Sequence, residues 1–219
     1  TEDGGESVDN ATSAEETLDE SAVESGAPSF TNLVFDPPRP SGIDLSAKTL
    51  TAVTDASKEA VVTDISDAVE GYVYLDAASG ALELTGIINP ADNVGRYARL
   101  PFENMEKYSG ENNKLAACLA GARLRFVTDA KSFVLYAKMG LTYKLDHFTP
   151  KGAYGFDVYV GTGTDRRYVG APGNHLTATD LVHKTVDIGG GYKEVTILLP
   201  SYGAVNRLCI GLPEESGFA

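Results

Sequence analysis

From Gly71 onward the chain never holds one hydrophobic pattern for long. Short runs of Val, Ile, Leu, Tyr and Phe alternate with Thr, Glu, Lys or Arg, and each stops at Gly, Pro, Asn or Asp. Alternation with a period of two puts successive side chains on opposite faces of a strand, and the interruptions are the residues that turns require. The runs are Gly71–Asp76, Ala81–Ile88, Lys114–Ala120, Arg123–Thr128, Ser132–Met139, Tyr154–Gly161, Arg166–Gly170, Lys193–Leu199 and Val205–Gly211. The first two, joined by Ala77–Gly80, read as a hairpin. Gly161-Thr162-Gly163 reads as the turn of another. Many short strands separated by turn signals predict an all-β fold, a jelly-roll-like antiparallel sandwich over residues 71–214. No long amphipathic helix alternates with the strands, which argues against a doubly wound α/β sheet.

Charge divides the chain unevenly. Residues 1–40 hold ten acids and one base, Arg39, in a chain whose net charge is −13. This stretch is rich in Ser, Thr, Glu, Asp and Gly, and its composition cannot offset the entropy of ordering. Residues 1–40 therefore read as a disordered acidic tail that ends in the stiff Asp36-Pro37-Pro38-Arg39-Pro40 joint. Residues 41–70 form a lead-in without sustained pattern, with a short helix expected near Asp55–Val61. The acidic balance excludes a general nucleic-acid binder, which needs a basic face. No run of about 18 apolar residues exists to span a membrane. An acidic Ser/Thr spacer before a folded domain is typical after an export signal or lipid anchor. A secreted or cell-surface location is the corresponding expectation.

Motifs that carry chemistry are sparse. The three histidines, His147, His175 and His183, show no spacing for a metal, and two cysteines cannot supply a four-thiolate zinc site. Gly189-Gly190-Gly191 is followed by no helix pattern and reads as a wide loop. No metal or cofactor is expected. Asp180-Leu181-Val182-His183 has the Asp-x-x-His spacing of hydrolases in which an acid orients a base. No serine stands in a nucleophile motif beside it, so the spacing reads as coincidence and no catalytic residue is assigned. Cys118 and Cys209 lie in apolar stretches. They read as buried free thiols, with a cross-strand disulfide as the alternative.

Four segments, in order, resemble one family. They are Tyr97-Ala98-Arg99-Leu100-Pro101, Ala120–Asp129, Gly155-Phe156-Asp157-Val158-Tyr159, and Leu198-Leu199-Pro200-Ser201-Tyr202 with Ile210-Gly211. The set is similar to the GxDLY domain, the β-sandwich that precedes the catalytic domain of a group of SGNH (GDSL-like) esterases. Val158 stands where the signature has Leu, and Ser201 replaces a second Leu. The resemblance implies a non-catalytic accessory domain of an esterase acting on acylated carbohydrate. Its partner would be a downstream catalytic domain of the same polypeptide, with residues 215–219 as the start of the linker. Arg99, Asp157, Tyr159 and Tyr202 are then the expected binding or docking residues, and Gly155 and Arg125 the structural ones. Gly155 suits a close backbone approach or a bulge. Asp157, mid-strand among apolar neighbours, wants a partner, and Arg99 and Arg125 are the candidates. The competing reading is a stand-alone carbohydrate- or protein-binding sandwich, in which Tyr72, Tyr74, Tyr97, Tyr154, Tyr159, Tyr168 and Tyr202 are available to stack on sugars.

Overall fold

A computed structural model describes residues 48–88, 97–142, 146–173 and 181–219. The expected tail, and the lead-in as far as residue 47, lie outside the described residues. In chain order the elements are β1 (Thr51–Ala52), β2 (Val61–Val62), β3 (Tyr72–Asp76), β4 (Glu83–Thr85), α1 (Gly110–Ala116), β5 (Arg123–Thr128) and β6 (Ser132–Thr142). There follow α2 (Pro150–Tyr154), β7 (Asp157–Val160), β8 (Arg167–Gly170), β9 (Leu181–Asp187), β10 (Lys193–Leu198), β11 (Gly203–Pro213) and β12 (Gly217–Phe218).

The strands form two antiparallel sheets. The larger runs β1-β12-β5-β10-β7-β8, with β4 also paired to β5, and the smaller runs β2-β3-β11-β6-β9. Alternation decides what fills the space between them. In the larger sheet Leu124, Phe126, Val158, Val160, Val195 and Ile197 point inward and are buried. They share one core with Leu75, Phe133, Leu135, Leu208, Ile210 and Leu212 of the smaller sheet. The rings of Phe126 and Phe133 meet edge to face across the sheets, 5.8 Å between centroids.

The smaller sheet is apolar on its outer face as well. Tyr74, Val134, Tyr136 and Cys209 are buried there, under Val62, Ile65 and Val69. Residues 62–70 thus cross that face as a strap. Tyr74 accepts a hydrogen bond from the Val69 amide at 3.0 Å, Tyr136 meets the Ser66 hydroxyl at 3.2 Å, and Arg207 holds Asp64 in a bidentate pair. Gly211 makes room for Tyr74: an added Cβ would lie 2.9 Å from its ring.

Several local expectations change. Gly71–Asp76 and Ala81–Ile88 make no hairpin, because β3 pairs with β2 and β11 while β4 pairs with β5 in the other sheet. No helix forms near Asp55–Val61; a 3-10 turn spans Val53–Asp55, and Val61 begins β2. Lys114–Ala116 close a helix instead of a strand. That helix is too short to show a 3.6-residue period, but Ser109 caps it by accepting from the Asn112 amide. Thr149 caps α2 in the same way, with Pro150 in its first turn. Residues 215–219 are not a free linker: Gly217 and Phe218 pair with β1, and Phe218 is buried in the core. The β7–β8 hairpin forms where it was expected.

The inter-sheet core sets the stability. Phe126→Ala is expected to cost about 3–5 kcal/mol. Urea unfolding should show this as a lower midpoint with an unchanged slope.

Candidate functional site

The outer face of the larger sheet is built differently. Residues opposite the inward Val195 and Ile197 of β10 are Glu194, Thr196 and Leu198. The register sets Thr196 between Arg125 of β5 and Tyr159 of β7, and Leu198 between Arg123 and Asp157. Glu83 of β4 lies opposite Arg125, and Tyr168 of β8 opposite Tyr159. Five strands therefore lay charged and aromatic side chains side by side on one face.

Glu194 organises it. Its side chain is 0% exposed, although it stands on an outer face. The carboxylate accepts from Arg125 Nη2 at 3.2 Å, Arg166 Nη2 at 3.2 Å and Thr196 Oγ1 at 3.1 Å. Arg125 also reaches Glu83 at 3.3 Å. A carboxylate so buried requires such partners, because desolvation of an unpaired charge is costly. The cluster joins β4, β5, β10 and the β7–β8 turn. Beside it the Tyr159 and Tyr168 rings meet at 5.5 Å and 62°. Partial burial, then the nearby Asp157 charge, pushes the Tyr168 phenol above its ordinary pKa. Leu198 and Tyr168 are exposed apolar side chains on this face, at 38% and 55%.

Of the residues expected from sequence, Asp157 and Tyr159 lie here together. Arg99 and Tyr202 lie off the sheet, near the helices. Arg99 donates through Nη2 to the Leu115 carbonyl at 3.0 Å, and its Nε is buried without a hydrogen-bond partner among the described residues. The Tyr202 amide donates to Ala153 O at 2.7 Å, and its ring packs on Phe148 at 5.4 Å. The expected pairing of Asp157 with an arginine is not seen among the described residues. Arg125 is taken by Glu194 and Glu83, which the strand order brings closer, and Arg99 serves the end of α1. Gly155 follows α2 at a close approach of backbone: an added Cβ would collide with the Lys151 carbonyl oxygen.

Sequence reasoning did not single out Glu194, Arg166 and Thr196, and it quoted Leu198 only as part of a motif, with no role on this face. Alternation along β10 marks Glu194, Thr196 and Leu198 as sharing a face; only the strand order shows what they meet there. His183 faces the strapped side of the smaller sheet, with Nε2 3.4 Å from the Tyr74 hydroxyl and its ring edge-on to Tyr136. Asp180 and His175 lie outside the described residues. Both cysteines are free and buried, and burial pushes the Cys209 thiol up to about 12.

A family model described as the N-terminus of SGNH-hydrolase-type esterases, named GxDLY, matches residues 72–218. The chain belongs to the GxDLY family. Its signature segment, Gly155–Tyr159, is the stretch that turns from α2 into the polar face. Among solved structures, this GxDLY domain is similar to a protein of Bacteroides ovatus ATCC 8483 described as a GDSL-like lipase. The TM-score is 0.56 at 21% identity, over 67% of this chain and 42% of that one. It is also similar to the salicylyl-acyltransferase SsfX3 from a tetracycline biosynthetic pathway. There the TM-score is 0.53 at 19% identity, over 69% of this chain and 42% of that one. At such identities the likeness is one of fold. The chain spans less than half the length of either protein. No curated protein matches it.

Two substitutions separate the cluster from its neighbour. Glu194→Ala removes the carboxylate that Arg125 and Arg166 share, leaving Arg125 with Glu83, and is expected to cost about 1–3 kcal/mol. Asp157→Ala, which breaks no ion pair among the described residues, should stay within about 0.5 kcal/mol. Denaturant unfolding of the two variants beside the parent chain measures both.

Proposed function

We propose that this GxDLY domain is a non-catalytic accessory module of an SGNH-type esterase. It packs against, and orients, a hydrolase domain that follows it in the polypeptide. The match of residues 72–218 to the N-terminal region of such esterases carries this reading. The setting of His183 supports it: Tyr74 and Tyr136 hold the ring against the apolar side of the smaller sheet, away from the polar face. Acylated carbohydrate is the substrate class we assign to the whole enzyme, and a secreted or cell-surface location fits the acidic Ser/Thr-rich stretch before the domain. A second reading is a binding sandwich. The Tyr159–Tyr168 pair favours it, because adjoining arginine and carboxylate groups could hydrogen-bond a sugar while Tyr168 stacks on it.

Ester hydrolysis tests the first reading. The 219-residue chain should hydrolyse p-nitrophenyl acetate no faster than buffer, and the full-length gene product should turn it over. Turnover by the 219-residue chain that disappears on His183→Ala would overturn the accessory role. Titration of the same chain with acetylated and deacetylated xylo-oligosaccharides addresses the second reading; saturable binding lost on Tyr168→Ala would establish a sugar site.

A further inference from the structure

We propose that the hydrolase domain docks on the outer face of the larger sheet, over Arg123, Leu198, Asp157, Tyr159 and Tyr168. This rests on the accessory reading and assigns the surface that serves it. Three observations converge on the face. The outer face of the smaller sheet is already covered by the strap of residues 62–70. The larger sheet instead exposes an aliphatic side chain, Leu198, at the end of β10, and the aromatic Tyr168 of β8 on the same face. Leu198 is flanked by Arg123 and Asp157, an arrangement of apolar centre and charged rim that suits an interface.

The third observation is the course of the chain. Ala219 exchanges two backbone hydrogen bonds with Val127, at 2.8 and 3.0 Å. Continuing along β5, the next lane is occupied, because Glu83 of β4 pairs with Arg125. The inner side is filled by Leu124 and Phe126. Residues following Ala219 therefore turn off this edge of the sheet near Arg125. A domain tethered there is held at high effective concentration close to this face, so a weak interface suffices to keep it docked. The docked face keeps Asp157 and Tyr159 of the sequence-based set and leaves Arg99 and Tyr202 outside it.

Thiol labelling in the full-length gene product tests this, since Cys118 and Cys209 are buried. Leu198→Cys and Tyr168→Cys are introduced singly, with Lys58→Cys as an exposed control on another part of the domain. Maleimide labelling at positions 198 and 168 should be slowed about ten-fold or more relative to position 58, as for sites reached only by local opening. Labelling as fast as the control overturns the docking face. Small-angle scattering of the same samples then separates the two failures. A compact particle with free thiols means the domains dock elsewhere and the accessory reading stands. A dumbbell with free thiols, or a gene product with no hydrolase domain, removes both.

Discussion

A carboxylate with no exposure on the outer face of a sheet is the constraint around which the larger sheet is arranged. Glu194 can sit there only because Arg125, Arg166 and Thr196 all donate to it. Arg125 and Arg166 come from other parts of the chain, so the cluster ties β10 to β5 and to the β7–β8 turn as well as satisfying a charge. Arg125 carries the link on to Glu83, which ties β4 to the edge of β5. Arg166 carries it to the β7–β8 turn and thereby holds the hairpin that bears Tyr159 and Tyr168. The polar face is therefore a preorganised surface, and its exposed groups are positioned by buried ones.

The two sheets solve the same problem in opposite ways. Both bury one face in the common core. The smaller sheet places Tyr74, Val134, Tyr136 and Cys209 on its outer side, and a strap must then be spent on covering them. That strap is anchored by polar contacts at several points, the Asp64–Arg207 pair among them. The larger sheet carries charges on its outer side and needs no such cover, except where Leu198 and Tyr168 break the pattern. Leu198 closes β10 between Arg123 and Asp157, the first residues of β5 and β7, so it is exposed among strands that hold it in place.

Period-two alternation was legible wherever a strand has one buried face. It located β5, β6, β10 and β11 and the β7–β8 hairpin, and with them the antiparallel two-sheet architecture. Partnership between strands was not legible. β3 and β4 are neighbours in sequence with a turn-like link, yet they belong to different sheets, and nothing in Ala77–Gly80 reveals that crossing. The same gap explains Asp157. A carboxylate and two arginines are visible in the sequence, but Glu194 outcompetes Asp157 for Arg125 through a strand order that only the fold supplies. The helices escaped notice because five to seven residues are too few for a period to emerge; their caps at Ser109 and Thr149 were the signals present.

The signature segment shows how one short motif can serve fold and surface together. Gly155 is required by backbone proximity, since any side chain would strike the Lys151 carbonyl as the chain leaves α2. Phe156 and Val158 then turn inward and are fully buried in the core. Asp157 and Tyr159 necessarily turn outward, beside Leu198 and Thr196. The inward pair is explained by packing alone. The outward pair is not: Asp157 has no partner among the described residues that its removal would strand, and Tyr159 rests on Tyr168 at the rim of the sheet. Groups held in place by their neighbours' packing, while contributing little to it, are free to answer to something outside the domain. The inward residues of the motif thus fix the strand, and the strand delivers the outward ones to the polar face of the larger sheet.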